Sequence, residues 1–323
     1  MINQYSSTSA YSAPSVLFKA FLVLLLFATS FTTQAQSDTY RKGQYIEPAY
    51  EGWWENDDGT FSFIFGYQNE NWEEELDIPV GDDNFFTPGN PDRGQPTHFL
   101  PRRNRFTFEV VVPADWGDKE LEWTITSNGV TKTAYATLAR DYVVDNVVIA
   151  SETGSLGAGT SSPESRANIA PELTVLGDRT GEQITRRVRV GEPLLIEARV
   201  DDDGLPKPRA ASLTRPVIEG RERMLTPPRQ VTVGKTNGLF LSWNVYRGEG
   251  PVAFDPPQTK PWEDTRTSAN SPWGPLWTPP PVPEDGIYRT EVTFDEPGTY
   301  VLWGRADDGG LYHDEYITVI VSE

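Results

Sequence analysis

The chain has 323 residues, 47 of them acidic against 28 basic, and a formal charge of −19. Such a surface repels phosphate backbones and anionic lipid, which argues against nucleic acid or a membrane surface as partner. There is no cysteine, which excludes a disulfide scaffold, a thiol nucleophile, a lipid-modified cysteine and any Cys-based metal site.

Stability then has to come from core burial, which suits an aromatic content of 12%. The length exceeds one sandwich of about 100 residues and fits two domains with insertions. Residues 1–35 read as a signal peptide. Lys19 precedes the apolar run Ala20 to Phe31, and Thr33-Gln34-Ala35 offers small residues before a cut after Ala35. Losing Lys19, the only charge in that segment, takes −19 to −20. The apolar run is short for a bilayer and has no second copy, so a secreted or periplasmic protein with no membrane span after signal removal is expected.

Residues 36–150 read as an N-terminal β-sandwich domain. Asp58-Gly59 separates Trp53-Trp54 from Phe61, Phe63, Phe65 and Tyr67, a hairpin signal that predicts a type I′ turn and one shared aromatic face. Phe106, Phe108, Val110 and Val112 repeat the alternation, as do Leu121, Trp123 and Ile125, and Asn128-Gly129 turns the chain into Val130 to Tyr135. No amphipathic helix is expected. Between these strands, Gly81 to Arg105 carries Pro88, Pro91, Pro96 and Pro101, too many for a central strand, and is expected to be an irregular loop. It gathers His98 with Arg93, Arg102, Arg103 and Arg105. Those side chains are either paired with carboxylates such as Glu73, Glu74 and Glu75, or form a pocket for an anionic or sugar ligand.

Residues 151–171, rich in Ser, Gly, Ala and Pro, read as a linker. Residues 172–323 read as an immunoglobulin-like sandwich with loop insertions at 206–230 and 255–285. Leu194, Ile196, Ala198 and Val200 alternate with polar residues, as do Leu241, Trp243 and Val245. Gly298-x-Tyr300-x-Leu302 has the spacing of a tyrosine corner, with Leu302 where an antibody domain places its second cysteine. Asp307 to Gly310 makes a tight hairpin into Ile317, Val319 and Val321.

Across Val190 to Val321 the segments VGEPLLIEARVDDDGLP, LSWNVYRGEGPVAF and FDEPGTYVLWGRADDGGL resemble a PKD-like or related immunoglobulin-like bacterial module. The whole chain is also similar to a group of uncharacterised secreted bacterial proteins carrying segments like GTFSFIFGYQNENWEEELDIPVG, DRGQPTHFLPRR and WEDTR. The resemblance implies fold and export, and no chemistry.

Trp262, Trp273 and Trp277 lie in the Pro-rich insertion. They form either a flat platform for sugar rings or peptide prolines, or the small core of the loop itself. Asp201, Asp203, Asp307 and Asp308 follow two neighbouring strands. Their carboxylates either cap local turns or converge on Ca²⁺. No other cofactor is implied. HExxH, GxSxG, P-loop and dinucleotide fingerprints are missing, and His98 and His313 are the only histidines. The expectation is an all-β, exported, non-catalytic binding or structural protein, meeting a glycan or an extracytoplasmic protein through the Trp-rich loop. The alternative is a carbohydrate-active hydrolase with an acid pair in the first domain, Glu73, Glu74 and Glu75 beside Trp72 being the first suspects.

Overall fold

The computed structural model describes residues 41–152, 163–179, 183–207, 238–258 and 279–323. Residues 1–35, expected to be a signal peptide, and Trp262, Trp273 and Trp277 lie outside the described residues, as does most of 206–230.

The first sandwich contains β1 (Ile46–Glu55), β2 (Phe61–Asn69), β3 (Leu76–Asp77), β4 (Asn84–Thr87), β5 (His98–Phe99), β6 (Arg102–Val112), β7 (Leu121–Ser127) and β8 (Val130–Ala136). Its sheets run β1-β2-β6 and β4-β7-β8, with β3 and β5 paired apart. Alternation along β2 and β7 sends Phe63, Phe65, Tyr67, Leu121, Trp123 and Ile125 into one core. There the rings of Phe86 and Trp123 stack at 5.8 Å and Phe108 meets Trp123 edge-on at 4.9 Å, geometries that ring quadrupoles favour.

Three local expectations need correction. The stretch Gly81 to Arg105 is not only a loop: it supplies β4, β5 and the start of β6. Its prolines interrupt the ladders, and buried amides take over their hydrogen bonds. Asn84 Nδ2 donates to Ile78 O at 3.0 Å and Pro96 O at 2.9 Å, while its Oδ1 accepts from Trp123 Nε1 at 2.9 Å. The turn before β2 is not type I′. Gly59 has φ +82° but Asp58 is not among the positive-φ residues; instead Asp58 Oδ1 accepts from Thr60 N at 2.9 Å. Finally, Phe106 has φ +48°. This bulge residue turns its ring away from the Phe108, Val110 and Val112 face and into a second cluster with Ile64, Val144, Ile149 and Leu311.

Two short helices, α1 (Asn146–Glu152) and α2 (Pro163–Ala167), occur where no helix and a plain linker are expected. Helix α1 buries Ile149 in that second cluster. Asp145 caps it, its Oδ1 accepting from the Val147 and Val148 amides at 2.9 Å each, a carboxylate serving the unpaired amides of a first turn.

The second sandwich contains β9 (Glu172–Val175), β10 (Ile184–Arg189), β11 (Leu194–Asp201), β12 (Phe240–Arg247), β13 (Val252–Asp255), β14 (Ile287–Phe294), β15 (Gly298–Asp307) and β16 (Tyr312–Ser322). Its sheets run β13-β14-β11-β9 and β10-β16-β15-β12, with β10 parallel to β16 and the other pairs antiparallel. In immunoglobulin lettering this is D-E-B-A against A′-G-F-C, the order that defines the fold. Trp243, Tyr300 and Leu302 share one core with Ile196, Phe294 and Ile317. Tyr300 Oη reaches Glu296 O at 3.0 Å and Glu249 O at 2.6 Å, which closes the tyrosine corner. Two all-β sandwiches in series are therefore the architecture.

Candidate functional site, the cleft between the sandwiches

The sheet β10-β16-β15-β12 is apolar on both faces. Val245, Leu302 and Ile317 point into the second core, while the residues after or before them, Tyr246, Trp303 and Tyr316, pack against the first. Strand parity makes this unavoidable, because neighbours along a strand face opposite ways. On the same outward face lies Arg305, 0% exposed. Its guanidinium pairs with Asp314 through Nε–Oδ1 at 2.7 Å and Nη2–Oδ2 at 2.6 Å, and donates to Phe106 O at 2.6 Å. It also stacks on Tyr312 at 3.7 Å and Trp303 at 4.6 Å. Burial alone would lower its pKa, but Asp314 outweighs burial and holds it charged.

A second set of bonds holds the first sandwich to β12. Thr97 N donates to Tyr246 O at 3.0 Å. Tyr246 Oη donates to Gly94 O at 2.5 Å, and Arg247 forks onto Asp92 at 2.7 and 3.1 Å. Between this contact and α1 the sandwiches leave a cleft of about 750 Å³. Its aromatic lining residues are Trp54, Phe106 and Phe108 from the first sandwich and Tyr246, Tyr312 and Tyr316 from the second, with Glu109, Arg247, His313 and Asp314 among them. Glu109 is exposed in the cleft. Crowding by the walls raises its carboxyl pKa, the Ser62 hydroxyl lowers it, and the Asp314 charge raises it.

The sequence-predicted site residues fall elsewhere. His98 sits between Asp77 Oδ1 at 2.7 Å and Glu75 Oε2 at 3.1 Å and lines a smaller cavity of about 570 Å³ that also touches Trp243, Pro251 and Gln258. None of Arg93, Arg102 and Arg103 lines that cavity. Arg93 donates to Pro88 O at 3.1 Å and Asn90 O at 3.2 Å. Arg102 lies 4.3 Å over the Trp72 ring and donates to Glu70 O at 3.1 Å. Arg103 donates to Glu51 Oε1 at 2.6 Å. Of the suspected acids, Glu73 pairs with Arg41 at 2.7 Å, Glu74 accepts from Gly43 N at 2.6 Å, and Glu75 holds His98.

The Asp-rich turns do cap themselves. Asp203 Oδ1 accepts from Leu205 N at 2.8 Å and Asp307 Oδ1 from Gly309 N at 2.6 Å. Asp308 Oδ1 accepts from Gly310 N at 2.6 Å and Leu311 N at 2.8 Å. Asp201 is exposed. Among the described residues no group of three or more acidic or histidine side chains is gathered to hold a metal, and no helix is long and apolar enough to cross a membrane.

The sequence reading missed Trp54, Glu109, Tyr246, Tyr312, Asp314 and Tyr316. The signal for one of them, Tyr246, was present: SWNVY, like YVLWGRA on the neighbouring strand, is apolar at both parities, which a sheet with one wet face does not need.

No protein-family model and no curated protein matches the chain. Solved structures that resemble it include a chimeric titin Z1Z2 carrying a decorin peptide, at 9% identity and a TM-score of 0.22, covering 87% of this chain and 98% of that one. Another is the S-layer protein rSbsC(31-844), at 11% identity and 0.20, covering 86% and 28%. A third is a nucleoside hydrolase-related hypothetical protein from Saccharophagus degradans, at 12% and 0.24, covering 51% of this chain and 28% of that one. At these scores the likeness does not extend to a site or an activity.

Proposed function

We propose that the chain is an exported, non-catalytic binding protein whose ligand occupies the cleft between the two sandwiches, and that the ligand is a neutral glycan. The observation that carries this reading is the lining: six aromatic residues contributed by both sandwiches around the carboxyl groups of Glu109 and Asp314. Apolar walls with a few fixed polar groups at a domain junction are the usual form of a small-molecule site. Rings cover the C–H faces of a sugar, carboxylates accept from its hydroxyls, and the acidic chain disfavours anionic polymers. The hydrolase alternative is weaker: of the suspected acids of the first sandwich, Glu73 is paired with Arg41, Glu74 accepts from the Gly43 amide and Glu75 holds His98, and in the cleft both Asp314 oxygens are held by Arg305.

A glycan-array screen of the mature chain tests this, repeated with Trp54→Ala and, separately, with Trp262, Trp273 and Trp277 changed to Ala. A cleft site predicts a glycan whose affinity falls at least about tenfold in Trp54→Ala, the loss expected when a central ring is truncated, and holds in the loop variant. Loss in the loop variant alone would move the site to the Pro-rich insertion. Turnover of the bound glycan would make the protein an enzyme.

A further inference from the structure

The polar groups lining the cleft differ in what they have left to offer a ligand. Both Asp314 oxygens are held by Arg305. Arg247 is engaged by Asp92 and by Gln95 O at 2.8 Å, and the Tyr246 hydroxyl by Gly94 O. His313 Nδ1 accepts from Leu173 N at 3.1 Å, and the Tyr316 hydroxyl reaches Thr107 O at 3.5 Å. Glu109 is the exception. Among the described residues no basic side chain acts on it, and its hydrogen-bond partner is the Ser62 hydroxyl.

The backbone explains why this acid stands in the cleft. On β6 it pairs with Ile64 of β2, and strand parity points it away from the core that takes Phe108 and Val110. It therefore lies on the face of the first sandwich where Ile64 and Phe106 meet Ile149 and Leu311. Tyr312 of the second sandwich feels it there: burial raises the Tyr312 pKa, Arg305 lowers it, and the charges of Asp314 and Glu109 raise it again.

A carboxylate with no cation beside it, between apolar walls, is short of donors. The walls disfavour its charged form, and every hydrogen bond donated to it restores that form. Its two oxygens offer about four lone-pair sites, of which the Ser62 hydroxyl takes one. What fits is a ligand that brings two donors side by side and no negative charge.

We propose that Glu109 is the specificity-determining residue of the cleft and accepts hydrogen bonds from two adjacent free hydroxyls of one sugar ring. The inference rests on the glycan reading of the cleft and narrows it: the glycan carries an unsubstituted vicinal diol where it passes Glu109. A deoxy position or an O-acetyl group removes a donor and leaves the carboxylate unpaired. A uronate or a sulfate sets a like charge against it.

The test uses the chain from residue 36 onward on an array of neutral hexose and pentose oligosaccharides, each beside its deoxy, O-acetylated and uronate counterparts. The wild type should bind the unsubstituted glycan at least about tenfold more tightly than counterparts altered at the recognised ring. Glu109→Gln keeps the size of the side chain and removes the charge and one acceptor. It should bind the unsubstituted glycan at least about tenfold more weakly and lose most of the discrimination against the deoxy form, which a merely structural role would not change. Equal binding of all forms by the wild type, or full discrimination by a folded Glu109→Gln, overturns the proposal. If Trp54→Ala weakens binding while Glu109→Gln alters neither affinity nor discrimination, the cleft holds the glycan and only the role of Glu109 fails. If no glycan binds, or neither variant changes binding, the cleft reading fails and this inference with it. Should Glu109→Gln not fold, the wild-type comparison decides.

Discussion

Tyr300 and Gly304 show how single positions hold the second core without a disulfide. The Tyr300 hydroxyl is shared between two carbonyls, and a Cβ on Gly304 would lie 2.5 Å from the Trp243 ring. Tyr300→Phe therefore leaves buried acceptors short of a donor and should cost about 1–3 kcal/mol. Gly304→Ala forces the indole off its seat and should cost about 1–3 kcal/mol or more. Equilibrium denaturation checks both, and a cost near zero for either would mean the core relaxes around the change. His98 gives a pH signature. Burial alone would push its pKa down, but hydrogen bonds to Asp77 and Glu75, and their charge, raise it from 6.5 to about 9. The folded state thus binds a proton that the unfolded state releases earlier. The stabilisation is complete below pH 6.5 and is lost as pH climbs through 9. Melting temperature should fall between pH 7 and 9.5 in the wild type and fall less in His98→Gln; parallel curves would show that the imidazolium contributes nothing.

At the level of strands, β12, β15 and β16 serve two cores at once. Their outward face is held by the Arg305–Asp314 pair, which reaches across to Phe106 O. Removing one partner of a buried pair leaves the other uncompensated, so Asp314→Asn should lower stability by about 3–5 kcal/mol, whereas Arg305→Met with Asp314→Leu together should cost much less. A double-mutant cycle measures this, and additive losses would contradict it. The inward halves of these strands were legible, since Leu302, Trp243 and Ile317 follow period-two alternation and fall where that alternation puts them. The outward halves were not read, because Tyr246, Trp303 and Tyr316 look like ordinary exposed aromatics until another sandwich is placed against them. Phe106 escaped for a different reason: alternation assumes a regular ladder, and its positive φ breaks it. In Gly81 to Arg105 the prolines correctly announced interrupted ladders. That Asn84 and Gln95 would be fully buried to repair them depends on tertiary partners and left no local pattern.

For the molecule as a whole, the aromatic cluster of the first sandwich runs without a break into the outer face of the second, through Tyr246 and Trp303. The cleft owes its shape to that contact, since its walls come from both sandwiches. Free hinging would open the cleft and scatter its rings, so the binding reading requires the two sandwiches to behave as one body. Differential scanning calorimetry of the chain from residue 36 onward tests this most directly. One transition is predicted, with calorimetric and van't Hoff enthalpies in agreement, and Asp314→Asn should broaden or split it. Two separate transitions in the wild-type protein would contradict the account.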